Sequence, residues 1–118
     1  MVDDYPKRAE LWMVSLEAVQ GSEIGKKRPA LVVSNNRNNQ FAETITVIPL
    51  TSRADKSYPF EASIKPGTSG LSVESRAKCN QIRTVSGTRL LHRIGHISPE
   101  EMQRVEQALL IHLAIFLH

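Results

Sequence analysis

The feature that most constrains the fold is a series of six short strand-like runs followed by one long helical pattern. The runs are rich in branched and apolar residues, and turn-forming residues separate them. The predicted strands are 11–16, 30–34, 44–48, 60–64, 71–79 and 81–85, with a turn or short helical segment at 35–40. No βαβ alternation is present, so we predict a mainly antiparallel sheet in one domain spanning residues 1–118. A small, partly closed barrel with a helix packed against it fits this order.

The C-terminal segment carries the clearest helix signal. Ser98 is a good N-cap, Pro99 suits the first helical position, and Glu101 completes a capping box. The residues predicted to face the core are Met102, Val105, Leu109, Leu113 and Phe116. A second apolar face consists of Leu110, Ile111, Ala114, Ile115 and Leu117. A helix that is apolar all round must be covered on both sides, so we predict a homodimer. The alternative is a helix buried deeply in its own sheet.

The segment between the first two predicted strands, residues 21–29, combines loop-forming residues with concentrated charge. It has two glycines, a final Arg-Pro pair, the carboxylate of Glu23 and three cations, Lys26, Lys27 and Arg28. A plain connection needs none of these charges, so we interpret the segment as the wall of a phosphate-binding site. An equally simple alternative is that Glu23 and Arg28 form an ion pair that only fixes the loop.

The distribution of charge favours an anionic partner. The net charge is +3, and residues 53–93 hold eight Lys or Arg against three Asp or Glu. A basic block on a small domain suggests nucleic acid, although a solvated surface of mixed charge would look similar.

Cys79 is the single cysteine, so we expect no intramolecular disulfide and no cysteine zinc cluster, and we predict that its side chain is buried. With no signal-peptide pattern, we predict a cytoplasmic protein.

The residue types favour phosphodiester chemistry without a cofactor or metal. The chain has no Walker loop, no Gly-x-Ser-x-Gly motif and no histidine before His92. His92 and His96 are four apart, which is weak evidence for a metal site. Arg28 and Thr51 could instead clamp a phosphodiester, because the guanidinium matches phosphate oxygens and a hydroxyl can donate to a developing oxyanion. In RNA the 2′-hydroxyl supplies the nucleophile, and Glu23 could act as its base.

An ordered set of segments resembles the MazF/PemK-type toxins of bacterial toxin–antitoxin systems. The segments are 11–16, 21–35, 47–52, 58–61 and 81–85, and the resemblance ends in the C-terminal helix with Met102 and Ala108-Leu109. The resemblance implies a compact antiparallel SH3-like barrel of the MazF/CcdB/Kid type, in a dimer. It also implies metal-independent, sequence-specific cleavage of single-stranded RNA that leaves 2′,3′-cyclic phosphate and 5′-hydroxyl ends. The implied partners are a MazE-like antitoxin with a flexible acidic tail and, through that antitoxin, operator DNA.

The resemblance also assigns roles to particular residues. The catalytic arginine and threonine of the family fall on Arg28 and Thr51, and an acidic residue implicated in some members falls on Glu23. Residues expected to contact RNA or shape its groove are Ser52, Gln81, Arg83, Ser22, Lys26 and Lys27, the two lysines by steering RNA or contacting the antitoxin. One departure stands before the first strand, where Ala9-Glu10 replaces the Gly-Asp of many members.

Two other functions remain open at this stage. A non-catalytic toxin on the same fold could inhibit a protein such as a DNA topoisomerase, although the joint presence of Arg28 and Thr51 argues against it. A nucleic-acid-binding module without catalysis would bind RNA in a salt-dependent manner and return it intact.

Overall fold

The structure, a computed structural model, describes residues 4–17, 20–52 and 57–116. Its strands are β1 Glu10–Ser15, β2 Lys27–Val32, β3 Thr44–Thr51, β4 Glu61–Ile64, β5 Ser75–Lys78, β6 Arg83–Ser86 and β7 Leu90–His96. Its helices are α1 Asn36–Phe41 and α2 Pro99–Leu113, and two 3₁₀ turns cover Cys79–Gln81 and Gly87–Arg89. None of the described helices combines the length and apolar character needed to span a membrane.

All recorded strand pairings are antiparallel, with the order β4-β5-β3-β2-β1-β7 and β6 paired to β3. The prediction of a mainly antiparallel fold with a C-terminal helix is therefore confirmed. Within the described ranges no pairing joins β4 to β7, so the sheet is not a closed barrel. Strand β3 is the central element, because its first half pairs with β6 and its last two residues pair with β5.

Several predicted strand boundaries were wrong. Strand β2 begins at Lys27 rather than at residue 30, and β3 continues to Thr51 rather than ending at residue 48. The run 71–79 forms a strand only over Ser75–Lys78, and the run 81–85 begins its strand at Arg83, because Cys79–Gln81 forms a 3₁₀ turn. Strand β7 was missed altogether. It lies at the edge of the sheet with most of its side chains exposed or half-buried, so its sequence lacks the apolar alternation that identifies a strand.

The core lies on both faces of β2 and β3. One cluster, which includes Leu31 and Ile48, packs under α2, and a second cluster, which includes Ala30 and Val47, lies on the opposite face. The apolar run 30–33 is buried as predicted from its lack of polar residues. Cys79 is buried in the first cluster, also as predicted, and burial together with the nearby Glu61 raises the pKa of its thiol to about 12.

Helix α2 begins as the sequence predicts and ends earlier. Ser98 and Glu101 form the capping box, and Ser98 Oγ accepts a hydrogen bond from the Glu101 N–H. Partial burial raises the pKa of Glu101, but hydrogen bonds from the N–H groups of Lys65 and Ser98 outweigh it and hold the pKa below its usual value. These contacts attach the start of α2 to the end of β4.

The C-terminal end of α2 corrects two predicted core positions. Met102, Val105 and Ala108 are buried and Leu109 packs against them, whereas Leu113 is half exposed and Phe116 is 78% exposed. The helix stops at Leu113 because Ala114 adopts a left-handed conformation. The N–H of Ala114 then donates to the Ile111 carbonyl and that of Ile115 to the Leu110 carbonyl, as in a Schellman motif.

The turn before β1 holds an alanine in a left-handed conformation, at the place where many members of the resembled family have glycine. Ala9 has a φ of 77°, in the region that favours glycine. Its N–H donates to the Val32 carbonyl (2.9 Å) and its carbonyl accepts from the Ile97 N–H (3.0 Å). These two bonds connect β2 to the segment before α2, and they hold an alanine in a conformation that is costly for a residue with a Cβ atom.

We therefore expect Ala9→Gly to stabilise the protein. The left-handed conformation costs alanine about 1–2 kcal/mol, and the lost methyl contact and greater flexibility of glycine offset part of that gain. Chemical denaturation should show a free energy of unfolding higher by about 0.5–1 kcal/mol. Ala42→Gly is the matched control, because Ala42 has a φ of −88°, and it should lower stability. Equal effects of the two substitutions would contradict this account.

Candidate functional site

The site begins where the pairing between β2 and β3 ends. The recorded pairs are Ala30 with Pro49, Leu31 with Ile48, and Val32 with Val47. Extending this register by two residues places Arg28 opposite Thr51, with both side chains on one face. Pro29 and Pro49 stand at this end of the two strands, and neither has an N–H to extend the ladder. Beyond this point β2 pairs with β1 and β3 pairs with β5.

A cavity of about 290 Å³ opens at this place. Its lining residues are Ser22, Ile24, Arg28, Thr51, Lys78, Asn80 and Gln81. Thr51 is buried, with 8% of its surface exposed, and Arg28 is half-buried. We call this space the Arg28–Thr51 cavity. Arg28 and Thr51, the two residues that the sequence assigns to catalysis, both lie on its polar wall.

Arg28 is positioned by the loop that precedes it. Its Nε donates to the Gly25 carbonyl (3.0 Å). Its two terminal nitrogens make no hydrogen bond or ion pair with the part of the chain that the structure describes. The guanidinium is therefore oriented by one contact and retains donors for an anionic ligand.

Glu23 is not part of the cavity wall. Its carboxylate accepts a hydrogen bond from the Gln20 N–H (2.7 Å), and the Glu23 N–H donates to the Gln20 carbonyl (3.2 Å). The described residues show no ion pair between Glu23 and Arg28. The hypothesis that this pair only fixes the loop is therefore wrong, and Glu23 instead closes a local turn.

Gln81 and Arg83 hold the β1–β2 loop, by which we mean residues 20–26. Arg83 Nη2 donates to the Ile24 carbonyl (2.6 Å). Gln81 Oε1 accepts from the Ile24 N–H (3.3 Å), and its Nε2 donates to the Ser22 carbonyl (3.4 Å). The sequence placed Gln81 and Arg83 on one face of a single strand, but Gln81 lies in the 3₁₀ turn. This turn brings its amide across to the loop.

The other residues expected to contact RNA are scattered around this centre. Ser22 lines the cavity, whereas Lys26 and Lys27 are exposed. Ser52 is exposed and lines a smaller cavity of about 140 Å³ that also includes Arg28 and Pro29. His92 and His96 lie on β7, and the described ranges hold no group of three His, Cys, Asp or Glu side chains able to bind a metal ion.

Sequence reasoning missed two residues of the cavity wall, Lys78 and Asn80. Lys78 belongs to the basic block 53–93, which was the available signal, but charge alone does not show which lysine faces a cavity. Asn80 is in the 3₁₀ turn whose presence the sequence did not reveal.

The chain matches a family model described as PemK-like, MazF-like toxin of type II toxin–antitoxin system over residues 7–113. It is 41% identical to Endoribonuclease MazF9 of Mycobacterium tuberculosis, covering 93% of this chain and 98% of the relative. It is 36% identical to Endoribonuclease EndoA of Bacillus subtilis, with coverages of 92% and 95%.

Among solved structures, MazF of Deinococcus radiodurans aligns with a TM-score of 0.82 and 27% identity, covering 96% of this chain and all of the other. In the MazE–MazF complex from the same organism, the TM-score is 0.75 at 25% identity, with coverages of 97% and 100%.

The geometry makes a direct prediction about the β1–β2 loop. Arg83→Met removes a charged donor to the Ile24 carbonyl, a bond worth about 1.5–3 kcal/mol. Hydrogen exchange of the amides at 22–25 should therefore become at least about ten-fold faster, because 1.4 kcal/mol corresponds to a factor of ten. Arg37→Met, at an exposed position of α1, is the control and should leave these rates unchanged. Equal rates in the two variants would show that Arg83 does not hold the loop.

Proposed function

The chain belongs to the PemK-like, MazF-like family of type II toxins, and we propose that it is a sequence-specific endoribonuclease that cleaves single-stranded RNA. The observation that carries this proposal is that Arg28 and Thr51 line one polar cavity, with guanidinium donors left for a phosphate. The non-catalytic topoisomerase inhibitor is not favoured, since the relatives are named endoribonucleases.

In the proposed reaction the substrate supplies the nucleophile. The 2′-oxygen attacks the adjacent phosphorus and loses its proton, while the bond from phosphorus to the 5′-oxygen breaks and that oxygen gains a proton. The products are a 2′,3′-cyclic phosphate and a 5′-hydroxyl. Arg28 donates to the phosphate oxygens as negative charge develops, and the Thr51 hydroxyl adds a further donor. The 2′-oxygen and the phosphate belong to the same RNA chain. The site therefore has mainly to align these two groups and to stabilise the developing charge, and no metal is needed.

The remaining site residues have secondary roles in this proposal. Glu23 does not line the Arg28–Thr51 cavity, so its role as the base for the 2′-hydroxyl requires a movement of the β1–β2 loop. Lys26 and Lys27 are exposed and suited to steering RNA or to contacting an antitoxin. Ser22 and Ser52 each line a cavity that Arg28 also lines. Gln81 and Arg83 act through the loop they hold.

We further propose a MazE-like antitoxin as the protein partner, in the cytoplasm, with operator DNA bound only through that antitoxin. A solved neighbour is a MazE–MazF complex. An acidic extended segment would complement the cationic wall of the cavity and so exclude RNA from it.

The proposed assembly is a homodimer that covers the end of α2. Large apolar side chains are exposed there, and a cavity of about 470 Å³ is lined by Gln107, Leu110, Ile111, Ala114, Ile115 and Phe116. Contiguous exposed apolar surface of this kind marks an interaction site in a soluble protein.

Cleavage is tested with the purified protein, single-stranded RNA and excess EDTA. The wild type should cut, and sequencing of the RNA ends should report both the site preference and the end chemistry. Arg28→Ala and Thr51→Val should each reduce cleavage by about 100-fold or more, because each removes a donor to the transition state. Arg37→Ala controls for the loss of a surface charge. Cleavage that depends on a divalent metal, or that survives Arg28→Ala, would refute the mechanism.

The dimer is tested by light scattering on the eluted protein. Ile111→Glu places a charge in the exposed apolar surface at the end of α2 and should shift the mass toward that of a monomer, because burying an unpaired charge is costly. Phe41→Glu is the control, since Phe41 is also exposed but lies on α1. A wild-type monomer, or a dimer unaffected by Ile111→Glu, would contradict the proposed interface.

A further inference from the structure

Two glycines bring the connection between β4 and β5 into backbone contact with β7. We call residues 65–71 of this connection the β4–β5 turn. A Cβ atom on Gly95 would lie 2.7 Å from the carbonyl carbon of Ser69 and closer still to its oxygen. A Cβ atom on Gly70 would lie 3.0 Å from the Ile94 carbonyl carbon. The turn and the strand approach this closely because neither glycine has a side chain.

The β4–β5 turn is held together by its own hydrogen bonds. Ser69 is buried, and its Oγ donates to the Lys65 carbonyl (2.6 Å) and accepts from the Leu71 N–H (3.3 Å). The Gly70 N–H donates to the Gly67 carbonyl (2.9 Å), and the Gly67 N–H donates to the Leu71 carbonyl (3.3 Å). A displacement at Ser69 is therefore passed on to Leu71 and to the chain that follows it.

The chain that leaves this turn forms one wall of a cavity that Arg28 also lines. We call the smaller cavity of about 140 Å³ the Ser52 cavity. From this side its lining residues are Leu71, Ser72, Val73 and Ser75. Arg28 lines both this cavity and the Arg28–Thr51 cavity, so it stands where the two meet. The position of the β4–β5 turn therefore bears on the space beside Arg28.

The chemistry of the Ser52 cavity suits a nucleoside better than a second phosphate. Val73 is 52% exposed, and the hydroxyl-bearing Ser52 and Ser72 are also exposed. Among the lining residues that the structure describes, Arg28 alone carries a charge. Apolar groups can pack against a base or a sugar, and hydroxyls can donate to or accept from base edges.

We propose that Gly95 is a positioning residue for RNA cleavage, which sets the width of the Ser52 cavity and thereby the nucleoside that this cavity accepts beside the cut. This inference rests on the proposed function and adds a determinant of nucleotide preference to it. Gly95 is buried and acts through the β4–β5 turn and the wall at 71–75. A displaced wall changes the fit of one nucleoside relative to another, because a pocket distinguishes ligands by small differences in size.

The first measurement is a competition among RNA substrates that differ only in the two nucleotides flanking the cut. The ratio of kcat/KM between competing substrates does not depend on the amount of folded enzyme, so a general loss of stability leaves it unchanged. Gly95→Ala should change this ratio about ten-fold at one flanking position, the discrimination that one methylene can provide in a pocket. Gly87→Ala is the matched control, since a Cβ atom there would have ordinary contacts, the nearest at 3.5 Å.

Val73→Ala tests the same wall directly. It widens the Ser52 cavity without touching β7, and it should change the ratio at the same flanking position as Gly95→Ala. Unchanged ratios in either variant, or changes at different positions, would overturn the role of Gly95. If Gly95→Ala does not fold, Ser69→Ala takes its place, because it removes the hydroxyl that bonds Lys65 and Leu71 and adds no atom.

The second measurement needs no catalysis. It compares the affinities for single-stranded dA, dC and dT homopolymers of equal length, which have no 2′-hydroxyl and cannot be cleaved by the proposed route. Gly95→Ala should change the ratios among the three affinities, and Gly87→Ala should leave them as in the wild type. A wild type that binds these strands but cuts no RNA would refute the nuclease, and the affinity ratios would still decide the role of Gly95. A wild type that cuts RNA, with the same nucleotide ratios in Gly95→Ala, would keep the nuclease and reject that role.

Discussion

The geometry of the candidate site depends on the point at which β2 and β3 stop pairing. Their ladder holds three residue pairs and ends at Ala30 and Pro49, where prolines on both strands lack an N–H. The register is nevertheless fixed by the buried residues farther along, because a slip of one residue would turn the core side chains to the wrong face. Arg28 and Thr51 thus inherit their mutual position from Leu31 and Ile48, which are fully buried. The cavity is a consequence of core packing.

Strand β5 and the 3₁₀ turn after it bring two side chains to this cavity. Lys78 adds a positive charge, and Gln81 contacts the β1–β2 loop. Because the chain leaves β5, makes one tight turn and resumes beside β3 as β6, Lys78 and Gln81 approach the cavity from the side opposite β2. Lys78 is anchored to a buried carboxylate, and Gln81 is bonded to the loop backbone. The 3₁₀ turn therefore allows a contact that a continuous strand would not. In a continuous strand the side chains alternate between the two faces of the sheet, and Gln81 would point elsewhere.

Features with local chemical causes could be predicted from the sequence. The capping box at Ser98 and the burial of residues 30–33 follow from neighbouring residue types alone. The family and the pair Arg28 and Thr51 were recognised by an ordered resemblance, but only the structure shows that both residues line one cavity. The sequence could not predict that Gln81 and Arg83 bond to the backbone atoms of Ser22 and Ile24, because these partners are distant in sequence. Leu113 and Phe116 fit the helical period, but Leu113 is the last residue of α2 and Phe116 follows the left-handed Ala114, and both side chains are exposed.

The manner in which the β1–β2 loop is held has an evolutionary consequence. Every bond that Gln81 and Arg83 make to it ends on a main-chain atom, at Ser22 or Ile24. Main-chain atoms are the same for every residue except proline, so the side chains at Ser22 and Glu23 can change while these bonds persist. Related proteins could therefore diverge in the surface that this loop presents, and inherit its attachment unchanged.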